Sequence, residues 1–231
     1  INGTDPSVAL DGAFTVSAWI KPNFTNAIRT VLGGSDDSDR FNISINTSSE
    51  MAINFYISNG ADTGTFVKYD ADNWTHVCFT RAASSTTGRY YINGVAAGTD
   101  TVSNGNWVLG LIGYDGGGSD GWIGHIADVK FYNTDLSTDG AALGPIQSLA
   151  SKINVHYSNV GTGTQPLSWF KLNEGTGNPA DSGSSGNATT RNNATWKFDA
   201  FSVNVQDGLA SAGGTTTDGA VTVTQGKLEG L

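Results

Sequence analysis

The sequence predicts an all-β fold of many short strands. Thirty-one glycines and only 14% charged residues in 231 mark tight turns, not helices carrying Glu and Lys. Apolar and polar residues alternate with a period of two from Phe14 to Ile20 (FTVSAWI), the signature of a strand. Hydrophobic residues at 38% and aromatics at 10% supply enough apolar surface for a packed core. At this length the chain is one large β-sandwich, or one domain plus a tail.

In the first strand, Phe14, Val16, Ala18 and Ile20 share one face and Thr15, Ser17 and Trp19 the other, so both faces are partly covered. The pattern returns at 28–33 (IRTVLG), 41–45 (FNISI) and 51–57 (MAINFYI), separated by Gly, Asp and Ser clusters that make turns. Trp74 to Arg81 and Gly88 to Ile92 form the next pair, and Asn93-Gly94 supplies the positive φ angles of a tight hairpin. A third block, 108–114 and then 122–132, is split by the glycine-rich loop DGGGSDG. Residues 135–150 give the one plausible helical turn. After the GTGTQP linker, LSWFKLNEG reads as a further strand, and VTVTQGKL in the tail as one isolated strand.

A formal charge of −9 argues against a nucleic-acid groove, because phosphate binding needs clustered Lys and Arg. The lone cysteine, Cys78, excludes an intramolecular disulfide, and its place in HVCFTR makes it a core thiol. No run is long enough for a membrane helix, and no charged segment followed by an apolar stretch opens the chain. Membrane insertion is therefore not expected. The sequence starts at Ile1, as a processed chain or a fragment does.

Three segments in order, FTVSAWIKP, then NWTHVCFTR with GRYYINGVAAGT, then LIGYDGGGSDGWIGHIADVKFYNTDLS, resemble the laminin-G-like, pentraxin-related concanavalin A-like lectin superfamily. The resemblance covers roughly residues 1–150. It implies a two-sheet antiparallel jelly-roll sandwich with Trp19, Trp74, Val77, Tyr91 and Ile126 at core positions. Where that family often carries Gly-x-Ile-Asp-Asp/Glu-Val, this chain has Gly124-His125-Ile126-Ala127-Asp128-Val129, with alanine at the first acidic position.

Residues 169–196 resemble the segment that opens such a domain, yet here they follow the other strands. A short fragment left alone would expose apolar faces and strand edges. The expected organisation is a laminin-G-like sandwich at 1–145, a linker at 146–166, an opening-type strand segment at 167–205, and a Gly/Thr-rich tail with one strand at 206–231. The C-terminal segment is expected to complete the sandwich by pairing near 167–173 with a strand of the first 140 residues, within the chain or exchanged with a neighbour.

Catalysis finds little support. A glycoside hydrolase needs two carboxylates held about 5–10 Å apart, while Glu50, Glu174 and Glu229 are widely separated. His76, His125 and His156 have no serine, cysteine or carboxylate at the spacing of a triad or zinc site. Asp36, Asp37 and Asp39 in GGSDDSDR could supply oxygen ligands to calcium, although a solvated acidic turn accounts for them more simply. For carbohydrate, Tyr114 and Trp122 flank the glycine loop as stacking aromatics, with Asp115 and Asp120 to bond sugar hydroxyls. Core packing competes for Trp122. Seven sequons, at Asn2, Asn23, Asn42, Asn46, Asn73, Asn187 and Asn193, carry little weight in a chain so rich in Asn, Ser and Thr.

The expected function is a non-catalytic structural or adhesion module on a virion or extracellular surface, such as a capsid decoration or fibre protein. Its partners would be other copies of itself, other surface proteins, or glycans. The alternative is a calcium-dependent secreted lectin or the carbohydrate-binding module of a glycanase.

Overall fold

In the computed structural model, which describes residues 8–10, 12–34, 39–57, 60–63, 66–69, 73–102, 107–114, 120–137, 165–172, 176, 178–186, 189, 221–224 and 227–230, the alternating segments form two antiparallel sheets that share a core. The strands are β1 (Val8–Leu10), β2 (Phe14–Pro22), β3 (Ala27–Gly33), β4 (Arg40–Ile45), β5 (Glu50–Ile57), β6 (Gly60–Thr63), β7 (Val67–Lys68) and β8 (Thr75–Arg81). They continue as β9 (Thr87–Ile92), β10 (Val95–Thr101), β11 (Trp107–Leu109), β12 (Leu111–Ile112), β13 (Gly124–Tyr132), β14 (Ser168–Phe170), β15 (Val221–Thr224) and β16 (Lys227–Gly230). One sheet of six runs β10-β9-β8-β2-β13-β14, and the facing sheet runs β12-β3-β4-β5-β6 with β7 also on β5.

Alternation decides what enters the space between the sheets. Phe14, Val16, Ala18 and Ile20 of β2, Val77 and Phe79 of β8, and Val129 and Phe131 of β13 meet Phe41, Ile43 and Ile45 of β4 and Met51, Ile53 and Phe55 of β5. The Phe55 and Phe79 rings stack at 4.0 Å, one from each sheet. Trp107 also enters this core. It comes from β11, which pairs with β1 in a separate two-stranded ribbon, and its ring touches Phe14, Phe55 and Phe131.

Gly88 on β9 exists to leave room for that stack. A Cβ there would lie 2.3 Å from Phe79 Cε2 and 3.3 Å from Val102 Cγ1. Phe79 has no free direction in which to retreat, since Phe55 lies at 4.0 Å, Tyr90 at 5.2 Å and Phe14 at 5.7 Å. Gly88→Ala is expected to cost about 1–3 kcal/mol by overpacking, read as a lower urea midpoint at unchanged slope.

The outer face of the six-stranded sheet is buried as well. Thr15 Oγ1 donates to Thr134 O at 2.8 Å and accepts from Leu136 N at 2.9 Å, so the chain after β13 lies across β2. Trp19, Trp74 and Ala127 form a second apolar cluster, and Cys78 and Tyr91 a third. This refines the expected core: Val77 and Ile126 face or flank the space between the sheets, whereas Trp19, Trp74 and Tyr91 are buried outside it. Burial pushes the Cys78 thiol up, with Asp135 adding to the effect, so it is a core thiol.

Asn93 and Gly94 both take positive φ, 52° and 78°, and join β9 to β10 as the hairpin the sequence predicts. Two expectations need correction. The run 108–114 is not one strand: β11 and β12 lie in different sheets, separated at Gly110, whose N–H bonds Gly33 O at 3.0 Å. The tail holds two strands and not one, Val221–Thr224 pairing with Lys227–Gly230. The helical turn expected at 135–150 falls mostly outside the described residues.

Residues 168–170 do pair with the first part of the chain. β14 lies antiparallel to β13, with Val129 opposite Phe170, Lys130 opposite Trp169 and Phe131 opposite Ser168. At this place β13 carries a bulge between Ala127 and Lys130, where Asp128 adopts a φ of 51°, a conformation Asp tolerates better than most residues. The bulge turns the wholly buried Asp128 carboxylate toward Trp169, whose Nε1–H it accepts, and toward Lys130 Nζ at 3.3 Å. Lys130 and Lys171 place their ammonium groups 5.0 and 4.3 Å from the Trp169 ring.

Candidate functional site

One end of the sandwich is assembled from the loop joining β2 to β3 and the two stems of the glycine loop between β12 and β13. Gly113 continues β12 by bonding Val31 O at 2.7 Å, and Trp122 N–H returns to Gly113 O at 2.9 Å. Thr30 N–H bonds Asp120 O at 2.7 Å and pairs with Gly121 as an isolated parallel bridge. Asn23 N–H bonds Ile123 O at 2.9 Å, holding the β2–β3 loop against the same segment. Four backbone bonds thus fix both stems on the scaffold, as loop-borne recognition requires.

This frame brings Tyr114, Asp120 and Trp122 together. Tyr114 is 40% exposed. Trp122 is half-buried, its ring edge-on to Phe24 at 5.3 Å and packed against the core. Asp120 Oδ1 lies 3.5 Å from Arg29 Nη1, both partly exposed, and the Arg29 guanidinium lies 6.0 Å from the Phe24 ring centroid. Ile123 adds exposed apolar surface. Asp115, the fourth expected residue, lies outside the described residues. No local motif marks Arg29 or Phe24, although Arg29 is the one charge in AIRTVLG. Three polar atoms near this frame, Arg29 Nε, Thr30 Oγ1 and Trp122 Nε1, are buried without a hydrogen-bond partner.

Of the expected calcium ligands, Asp36 and Asp37 lie outside the described residues, and Asp39 is only 9% exposed. No group of three or more His, Cys, Asp or Glu side chains placed for a metal occurs among the described residues. His76 is buried edge-on to Trp19 at 5.3 Å, and its backbone exchanges two hydrogen bonds with Asn93. The His125 ring lies 6.1 Å from that of Trp74. His156 and Glu174 are outside the described residues. The Glu50 carboxylate accepts from Asn46 at 2.9 Å and pairs with Lys68 at 3.3 Å, and these contacts lower its pKa. Among the sequons, Asn42 is buried and Asn23 and Asn73 are exposed.

Residues 2–141 match the laminin-G-type profile of the concanavalin A-like lectin/glucanases superfamily. The chain belongs to this superfamily. Its fold is similar to that of a native heptameric SAP-like pentraxin from Limulus polyphemus, with 16% identity, a TM-score of 0.52, and coverage of 64% of this chain and 77% of that one. It is also similar to a Bacteroides ovatus protein assigned a carbohydrate-binding role, with 14% identity, a TM-score of 0.51, and coverage of 79% of this chain and 52% of that one. The chain thus spans about half the length of the latter. No curated protein sequence matches it.

Proposed function

We propose that this domain is a non-catalytic surface module that binds carbohydrate through Tyr114, Asp115, Asp120 and Trp122, at the rim where the structure sets Tyr114, Asp120 and Trp122 with Arg29 and Phe24. The observation that carries the reading is the exposed Tyr114 ring on the same frame as the Arg29–Asp120 pair. A sugar presents an apolar face that stacks on an aromatic ring and hydroxyls that bond carboxylate and guanidinium groups.

A non-catalytic role is supported by how the carboxylates are used. Glu50 is held by Asn46 and Lys68, Asp120 by Arg29, Asp128 by Trp169 and Lys130, and Asp135 by Arg89 at 3.8 Å. Each of these four is held by a donor or a cation, whereas sugar hydrolysis uses two carboxylates facing the bond to be cut. The acidic, low-charge, Gly/Ser/Thr/Asn-rich composition fits a virion or extracellular surface.

A glycan array with calcium and then with chelator tests the proposal. Binding is expected, and Tyr114→Ala is expected to weaken it roughly tenfold, the worth of one aromatic contact. Loss of binding with chelator assigns calcium to the site. Silence on every glycan in both conditions, or release of products from polysaccharide, would overturn the reading.

A further inference from the structure

We infer that the Arg29–Asp120 pair sets which sugars the rim accepts: those that present free hydroxyls on adjacent carbons and carry no acid group. The inference rests on the rim being the carbohydrate site, and it names the ligand class for that site. A guanidinium has only donors and a carboxylate only acceptors. Arg29 Nη1 and Asp120 Oδ1 lie 3.5 Å apart, and both side chains are partly exposed. A ligand that spans the pair therefore meets a donor and an acceptor side by side. A hydroxyl both donates and accepts, so two on neighbouring carbons match the pair, one giving its proton to Asp120 and the other accepting from Arg29.

The aromatic surface lies next to this pair. A Cβ placed on Gly121, the residue after Asp120, would be 3.6 Å from Tyr114 Cδ2, so the Tyr114 ring lies against that glycine while remaining 40% exposed. A sugar stacked on Tyr114 thus brings its hydroxyl edge to Asp120. Arg29 is held before any ligand arrives. Its Nη1 also donates to Ile28 O at 3.1 Å, and its guanidinium faces the Phe24 ring at 6.0 Å, so little freedom is lost when a hydroxyl binds it.

The same pair turns acidic sugars away. A guanidinium with no carboxylate beside it would favour a uronate, because the two groups form charge-assisted hydrogen bonds. Asp120 already fills that role. An incoming carboxylate would have to displace Asp120 and would leave two like charges beside one cation, an arrangement that costs binding. The segment from Tyr114 to Trp122, YDGGGSDGW, adds Asp115 and no basic residue. Lys21 on β2 falls with Trp19 on the outer face of the six-stranded sheet, whereas Arg29 belongs to the facing sheet.

Calorimetric titration of the full chain tests this with three probes: a neutral hexose oligomer, the same oligomer lacking one hydroxyl of each adjacent pair, and its uronate counterpart. Wild type is expected to bind the first, to bind the second roughly tenfold more weakly, as loss of a hydrogen bond to a charged group does, and to bind the uronate least. Asp120→Asn keeps the shape and removes the charge. It is expected to weaken the neutral oligomer and strengthen the uronate, each roughly tenfold. Adding Arg29→Gln should abolish the gain for the uronate, which a merely structural role for Asp120 does not predict. Wild type that binds the uronate as well as the neutral oligomer, or Asp120→Asn that weakens both alike, would overturn this inference and leave the rim reading standing. Silence toward every glycan would overturn both. Should Asp120→Asn not fold, the wild-type comparison of the neutral oligomer with its uronate decides alone.

Discussion

Asp128→Ala is expected to destabilise the protein by about 3–5 kcal/mol, because it takes away the carboxylate paired with a largely buried ammonium. The Lys130 side chain is 10% exposed and its Nζ sits 3.3 Å from Asp128 Oδ2. The same substitution takes the acceptor from Trp169 Nε1 and puts alanine at a φ of 51°, which Asp and Asn tolerate better. Asp128→Asn keeps the backbone preference and can still accept from the indole, so it should fall between wild type and alanine. Adding Lys130→Met to Asp128→Ala removes the stranded charge and should recover part of the loss, since a buried pair replaced whole by apolar groups is often neutral. Urea midpoints of the four proteins measure this. Equal loss in the single and the double variant would show that the charge pair is not what the bulge protects.

The parts of the fold that alternation controls were readable from the sequence. FTVSAWI shows its two faces, and Asn93-Gly94 marks its hairpin, because these depend on neighbouring residues alone. Which buried face of a central strand meets the other sheet is a different matter. β2 is buried on both sides: alternation sets Trp19 on the face opposite Phe14 and Val16, the family resemblance gives Trp19 and Trp74 core positions, and both are buried, in a second cluster with Ala127. Asp128 follows Ala127, where the family's first acidic residue is absent, so the motif gives Asp128 no role of its own. The available signal was an Asp two residues before a Lys inside an apolar strand, a spacing that places both on one face, though the bulge that turns Asp128 toward Trp169 has no local mark. At the rim, the glycine loop pointed to Tyr114 and Trp122, while Arg29 and Phe24 join them only through pairing of segments far apart in sequence.

Gly124→Ala is expected to damage stability and the rim together. Gly124 opens β13 opposite Pro22 with a φ of +131°, a region that L residues other than glycine rarely adopt. A Cβ there would sit 2.3 Å from Lys21 O, 2.9 Å from Asn23 N and 3.1 Å from Pro22 Cα. All three are backbone atoms, so no side chain can swing aside to relieve the clash. Overpacking accounts for about 1–3 kcal/mol and the strained φ for a similar amount. Relief requires the start of β13 to move away from β2, and the first bond to go is Asn23 N–H to Ile123 O. That bond ties the Phe24 loop to the Trp122 segment, so its loss separates Phe24 from Trp122. The variant should therefore unfold at a urea concentration well below wild type. At temperatures where it is still folded, it should also bind glycan more weakly than Tyr114→Ala, because it displaces several contacts and not one. A Gly124→Ala protein with wild-type stability and wild-type glycan binding would show that this glycine is not what holds the two loops in register.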